Sequence, residues 1–575
     1  MANKYPYRIT FADALTKLSW GIASWSKDDI PLTDEIHLLA ARNAVTAAQV
    51  HVTAGHEFTL LVDRANWLNA LGFTPRLRLE VHFTGLAPEQ VEIFPVGYVD
   101  GDDRRLWMEY FDRAGYAEVP AQRTQAVYIR IRVPADLEPG IYEGQVRAFT
   151  QYGFENEDAI WQGKIVLEVA GVTLPEVKDY QFHMNLWQHL TSIARFHHVA
   201  LWSEEHFALI DRYYASLAQL GQKVVSIVAT EMPWSGQRCY RDRGYPSYLF
   251  EHAMIGVARG KDSELRFDYT ALDRVLGLAA KHYIDRQIDV FGLINIWVDE
   301  EYGFGKVAED SPDAVRVRCY DETSRTITYL RKADELRQFM RALHDHLAEL
   351  GILERVRVAA DEPSDLEKFN RSLAFVHEAG PNFKFSAAIN HFEFLEDAPP
   401  GLIDFIPILP LACNEPELTA RLTAKLHERG GKMHWYVCCW PPIPNAFIHS
   451  PLPEAVLHGW LTHALELDGF LRWDFCLWPA SPWERISYRV PDWHAGDMSF
   501  VMPGKDGAPV ETLRYEALRT AVQDYELIKM VERRLPNEKA KAIINEALNL
   551  PLWPKSERES CIRLIRRITP LRGKC

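Results

Sequence analysis

Positive charge is the first thing this sequence is short of. Its 64 Lys and Arg stand against 79 Asp and Glu, a formal net charge of −15. Such a surface repels phosphate backbones and anionic lipid, so neither nucleic acid nor a membrane is an expected partner. Long apolar runs are also missing, and none reaches the ~18–20 residues of a membrane span. The opening stretch MANKYPYRITFADALTKLSW lacks the apolar core of a signal peptide, so the expected location is the cytoplasm. Cysteine is sparse. The eight Cys form no C-x-x-C pair, which excludes a zinc ribbon and a dense disulfide framework. His183, His189, His197 and His198 fit no common metal spacing, and Gly504-Lys505 lacks the phosphate-loop pattern. No metal or other cofactor is expected. Cys438-Cys439 has no evident His–acid partner and is not read as a nucleophile.

What is present is apolar and aromatic. Hydrophobic residues make up 47% of the 575, enough for a large core and a second domain, and 17 are Trp. Most large aromatics serve packing, but a flat indole also matches the C–H face of a sugar. Residues 1–175 read as a β-sandwich, because segments such as RLRLEVH (76–82) and AVYIRIRV (126–133) alternate in polarity and VPADLEPG (133–140) is a turn between them. From about 180 short apolar runs alternate with amphipathic helices. Eight strand candidates follow in order, at 181–187, 223–229, 288–297, 355–360, 383–389, 402–409, 433–439 and 469–476. That alternation predicts an α/β chain with a (β/α)8 TIM barrel over 176–535, in which helix 511–534 is the strongest, and a short helical extension over 536–575.

In such a barrel the chemistry gathers where the strands end. Strand four ends in Asp361-Glu362-Pro363, the leading catalytic pair; the bland reading is a helix N-terminus, where acids are favoured. The other strand ends bring Trp187, Gln237, Trp297, Asn390, His391, Tyr436, Trp473 and Trp478, a set suited to a neutral, hydroxyl-rich ligand. For each Trp, and for Tyr436, plain core packing is the competing role.

The sequence here resembles glycoside hydrolase family 123, the β-N-acetylgalactosaminidases, along with the C-terminal module often labelled as a domain of unknown function. The motifs that carry the resemblance run in order: VPADLEPGIYEGQV (133–146), NLWQHLTSIARFHHVALWS (185–203), PWSGQ (233–237), the D-E-P, WYVCCWPPIPN (435–445), GFLRWDFCLWP (469–479), GDMSFVMPG (496–504) and LRYEALRTAVQDYELIKMV (513–531). Two positions depart from the family pattern: Cys476 stands where an acid or amide is common, and Pro363 follows Glu362 without an intervening Arg. The resemblance implies a retaining exo-hydrolase that releases terminal β-linked N-acetylgalactosamine. The substrate's own 2-acetamido oxygen would attack and form an oxazoline, an exception to the usual two-carboxylate scheme. It gives Glu362 the general acid/base role and Asp361 the role of steadying the acetamido N–H. Tyr436 would donate to the acetamido oxygen, and Trp478 would lie under the sugar with Trp473, Trp297 and Trp187 as further walls. Asn390, His391 and Gln237 would bind hydroxyls. The partner implied is an oligosaccharide or small glycoside ending in a 2-acetamido sugar; the oligomeric state is left open. Two other readings stay open, a silent carbohydrate-binding barrel and a hexosaminidase preferring N-acetylglucosamine.

Overall fold

Alternation of polarity does what it promises in the first part of the chain. In Arg76–Phe83, Leu77 and Leu79 turn inward while Arg76, Arg78 and Glu80 face outward. The computed structural model describes residues 6–20, 31–62, 74–153, 155–231, 250–294, 306–396, 401–488 and 493–547. Within Tyr7–Thr173 two six-stranded sheets form. One runs in the order Tyr7–Asp13, Val45–Ala54, Thr124–Arg132, Val91–Asp100, Leu106–Phe111, Ser19–Trp20. The other runs Glu35–Arg42, Asp158–Thr173, Gly140–Gln151, Arg76–Phe83, Phe58–Leu61, Tyr116–Val119. Val50, Val52, Val127, Ile129, Val146 and Ile165 fill the core they share.

All eight expected barrel strands are present: β1 (His183–Leu186), β2 (Val224–Val228), β3 (Gln287–Phe291), β4 (Val356–Asp361), β5 (Lys384–Ile389), β6 (Leu402–Pro407), β7 (Lys432–Tyr436) and β8 (Gly469–Arg472). They make one parallel sheet in the order β1-β8-β7-β6-β5-β4-β3-β2. The sheet curls into a nearly closed barrel. At the seam β1 and β2 share only a bridge between Met184 and Gln222. Side chains supply the missing ladder bonds there. The Gln222 amide accepts from Leu186 N–H and donates to Leu186 O, each at 3.0 Å, and Gln188 Oε1 accepts from Ser226 N–H at 2.8 Å. Two polar pairs are buried inside the barrel: Asn185 donates to Asp289 at 3.0 Å and Arg357 to Asp404 at 2.7 Å.

Several strands are shorter than the apolar runs suggest. β8 stops at Arg472 because Asp474 Oδ1 accepts from the Cys476 N–H at 2.6 Å, a local turn that competes with the ladder. β3 stops at Phe291, and Asn295 and Trp297 lie outside the described residues. The helices sit as expected and are capped by the residue types that favour it. Ser203 caps Glu204–Ala218, Asp365 caps Leu366–Ala379 and Thr512 caps Leu513–Arg534. A four-stranded sheet of Leu265–Asp268, Gly256–Arg259, Arg318–Asp321 and Thr326–Tyr329, inserted after β2 and β3, was not foreseen.

Buried charge joins the sheets to the barrel. Arg514 Nε donates to Glu109 at 2.7 Å, and Lys17 meets the same carboxylate at 3.1 Å. Arg130 bridges Glu92, Glu511 and Glu516 at 3.2, 2.5 and 2.7 Å.

Candidate active site

The acids arrive at the end of β4. Asp361 is the last residue of the strand, in register with Ala388 of β5. Strand alternation would send the next side chain to the opposite face. Glu362 breaks that rule through a φ of +41°, a left-handed conformation that a non-glycine residue adopts at a cost of about 1–2 kcal/mol. Its N–H still donates to Ala388 O at 2.8 Å, so the chain bends without leaving the sheet. Pro363 follows and could not extend the ladder. The helix beyond takes its cap from Asp365, whose carboxylate accepts from Lys368 N–H at 2.9 Å. Neither Asp361 nor Glu362 is spent on capping.

The bend turns Glu362 toward β7. Tyr436, the last residue of β7 and almost wholly buried, donates its hydroxyl to Glu362 Oε1, and the Tyr436 hydroxyl oxygen also stands 2.7 Å from Asn390 Oδ1. Burial pushes the Tyr436 phenol well above its ordinary value; Glu362, Cys438 and then Asp361 act in the same direction. Tyr436 is therefore a hydrogen-bond donor at any physiological pH. Glu362 is thus held against the phenol at the strand ends, and Asp361 is its neighbour in the chain at the end of β4. Two adjacent acids and a fixed O–H donor can divide proton transfer from charge stabilisation.

The aromatic candidates take different places. Trp473 follows β8; its indole N–H donates to Asp497 Oδ1 at 3.2 Å and its ring tilts against Trp493 at 4.9 Å. Trp187 is buried at the end of β1, edge-on to Phe291 at 4.9 Å. Trp478 is 2% exposed, its indole N–H donating to Val501 O at 2.7 Å and its ring lying beside Phe196 and Tyr213, which leaves little of it open to a ligand. His391 is exposed, with Nδ1 3.1 Å from Glu393. Gln237 and Trp297 lie outside the described residues.

Some further buried groups were given no site role from sequence. Arg472, fully buried, donates from Nη2 to Asp497 Oδ1 at 2.6 Å and from Nη1 to Asn445 Oδ1 at 2.7 Å. Burial raises the Asp497 carboxyl, with Arg472 opposing. His189 and Asp474 pair in complete burial where β1 and β8 end. Glu251 accepts from Thr191 N–H at 3.2 Å, and burial pushes its carboxyl up to about 7. His189 and Asp474 both stand at strand ends in the sequence, a usable signal; Arg472 and Asp497 carry none, being 25 residues apart with nothing periodic between them. Among the described residues no group of three or more His, Cys, Asp or Glu could hold a metal ion.

Residues 187–531 match the model of the glycoside hydrolase 123 catalytic domain, well over half of the chain. The chain belongs to glycoside hydrolase family 123. It is therefore a glycoside hydrolase. A family 123 glycoside hydrolase from Clostridium perfringens, solved in a study of glycolipid glycan hydrolysis, shares the fold with a TM-score of 0.77. Identity there is 17%, over 99% of this chain and 98% of that one. A Bacteroides ovatus GH5 xyloglucanase (7% identity, 85% and 98% covered, TM-score 0.28) and a β-D-glucuronidase from Dictyoglomus thermophilum (11%, 86% and 69%, 0.32) resemble this family 123 chain too loosely to carry an argument. No curated protein matches it. Among the described residues no helix is long and apolar enough to cross a membrane.

Proposed function

We propose that this hydrolase releases terminal β-linked N-acetylgalactosamine from a glycan with retention of configuration, the substrate's acetamido group serving as nucleophile. The observation that supports this best is the hydrogen bond from the buried Tyr436 hydroxyl to Glu362, which follows Asp361 directly at the end of β4. In the first step the acetamido oxygen bonds to the anomeric carbon as the bond to the departing oxygen breaks. Glu362 gives that oxygen its proton. Asp361 accepts the acetamido N–H and balances the positive charge of the oxazolinium ion. Tyr436 exchanges Glu362 for the acetamido oxygen and holds it in line. Water then opens the ring, and Glu362 takes back a proton. Assistance by a positioned acid of this kind contributes roughly 10²–10⁴-fold.

A glycolipid glycan is the substrate class we favour, because the Clostridium perfringens relative is described in those terms. In this reading Trp473 and Trp187 are walls of the sugar site, the buried Trp478 supports it from beneath, and Asn390 and His391 bind hydroxyls. We read the catalytic part as a (β/α)8 TIM barrel over 176–535, after a β-sandwich over 1–175 and before a helical extension. The free thiols among the described residues suit a reducing, cytoplasmic setting.

The test is a panel of p-nitrophenyl glycosides. Turnover of the β-N-acetylgalactosaminide, none of its 2-hydroxy analogue, and initial release of the β-anomer by NMR are expected. Glu362→Gln and Asp361→Asn should each lower kcat by about 10²-fold or more. Inversion, or a fully active variant, would overturn the mechanism; preference for the C4 epimer would make the enzyme an N-acetylglucosaminidase.

A further inference from the structure

A hollow of about 250 Å³ opens where β2 leaves the barrel. One side of it is Ala229, Thr230 and Glu231, which follow β2 directly; the other is the inserted four-stranded sheet, which contributes Val257, Arg318 and Tyr320. The barrel strands run parallel, so the hollow lies on the same face as Asp361 and Glu362. Its height can be read from the ladders. Val228 pairs with Phe291 and Val290 with Val358. Counting outward from those pairs puts Thr230 level with Asp361. Only β3 lies between β2 and β4 in the sheet, so the hollow begins about 10 Å from the acids, two strand spacings away. Its walls are tied to the barrel. Thr230 Oγ1 donates to Gly292 O at 2.8 Å, Met254 N–H to Val228 O at 2.8 Å and Glu231 N–H to Arg316 O at 3.2 Å. A ligand entering would not have to order them first.

The lining says what kind of ligand fits. Trp202 and the exposed Tyr320 bring aromatic surface, which suits the C–H face of a sugar. The buried Glu231 carboxylate accepts from the Tyr329 hydroxyl at 3.0 Å and pairs through its other oxygen with Arg318. The Arg318 side chain is 43% exposed and keeps donors for hydroxyls. Its charge is matched by Glu231, and burial holds His252 below its ordinary value, hence uncharged at neutral pH. A carboxylated or phosphorylated ligand would find no unmatched cation among these groups. A neutral pyranose finds aromatic surface, donors and acceptors together, in a space just under the ~300 Å³ at which sites for drug-sized ligands begin. An exo-enzyme takes the last sugar of a chain, so every other sugar belongs to the departing part, and a second sugar site serves that part.

We propose that the hollow between the end of β2 and the inserted sheet is a second sugar site, which takes one neutral pyranose of the departing glycan with Tyr320 as its stacking surface and Arg318 and Glu231 on its hydroxyls. This rests on the exo-acting reading of Asp361 and Glu362. The test compares the methyl β-N-acetylgalactosaminide, which is too short to reach the hollow, with a neutral linear tetrasaccharide ending in the same β-linked sugar. Both are assayed with the full chain by chromatography of the released sugar. Tyr320→Ala, a change at an exposed side chain outside the catalytic machinery, should lower kcat/KM on the tetrasaccharide about 10-fold, mainly through KM, and leave the methyl glycoside within about 2-fold. Tyr320→Phe, which keeps the ring, should stay near native. Equal effects on both substrates, or none on the tetrasaccharide, would overturn the second site. A calorimetric titration needs no turnover. In the full chain carrying Glu362→Gln, adding Tyr320→Ala should weaken binding of the tetrasaccharide about 10-fold. Unchanged affinity would overturn the site, and so would tighter binding of a tetrasaccharide with a sialic acid in place of a neutral sugar. A native enzyme that cleaves neither substrate would remove the exo-acting reading, and the titration would still decide the hollow.

Discussion

The backbone N–H of Glu362 is bonded to the carbonyl of Ala388 at 2.8 Å while its φ is +41°. The sheet therefore holds in place a conformation that the residue itself disfavours, and that conformation is what turns the second acid toward Tyr436. The cost can be measured apart from the chemistry. Glu362→Ala and Glu362→Gly both delete the carboxylate, but only glycine accepts a positive φ freely. The glycine variant should be the more stable of the two by about 1 kcal/mol in urea denaturation. Equal midpoints would mean that the bend carries no strain.

Removing one oxygen from Tyr436 tests its role as a donor. Tyr436→Phe keeps the ring buried at the end of β7 and loses the bonds to Glu362 and Asn390. We expect kcat to fall about 10²-fold with a smaller change in KM, the pattern of a donor that acts on developing charge. A change confined to KM would place the hydroxyl in ground-state binding instead.

How much of this was legible beforehand depended on whether the information was local. The eight barrel strands could be read because each is a short apolar run with a polar interruption behind it, and the D-E-P stood out because Pro363 closes its run. The lengths of β3 and β8 were not legible. Apolar residues continue past both strands, and the turn that ends β8 depends on where the Asp474 carboxylate points. The Arg472–Asp497–Asn445 cluster was hidden for a similar reason: its members are ordinary residues in three separate segments, joined only by folding. The inserted four-stranded sheet was missed because its strands carry no apolar run: Gly256–Arg259 buries only Val257, and Arg318–Asp321 only Cys319.

Glu251 sets a pH dependence. Its carboxyl is buried and pushed up to about 7, above the ordinary value near 4.5. The folded state thus binds this proton more tightly than the unfolded chain does. The stability it contributes is whole below pH 4.5 and is lost as pH rises through about 7. Glu251→Gln cannot ionise, so it should be more stable than the native protein at pH 8, by at most about 3 kcal/mol, and indistinguishable from it at pH 4.5. Thermal melts at the two pH values decide; a gain of equal size at both would point to packing rather than charge.

At Gly459 the helix Leu452–Ala464 runs tightly against the helix Leu513–Arg534. A Cβ built there would stand 2.0 Å from the carbonyl oxygen of Ala521. Backbone cannot yield as a side chain tip can, so Gly459→Ala should destabilise by about 1–3 kcal/mol, enough to lower the melting temperature by several degrees. An unchanged melting temperature would show that the two helices can part.

The salt links of Arg130 and Glu109 give the molecule a property its outline conceals. The family match begins at Trp187, which invites cutting the enzyme down to its catalytic half. Yet Arg514, Glu511 and Glu516 belong to that half, and their partners Glu109 and Arg130 do not. A chain started near Pro175 would leave these ions without their partners and would bare to water the apolar surface that Val96, Met108, Phe111 and Tyr128 now cover in the shared core. Expressed alone, the catalytic half should be insoluble or molten by near-ultraviolet circular dichroism. What looks like two modules is then a single heritable unit, whose halves had to evolve in step.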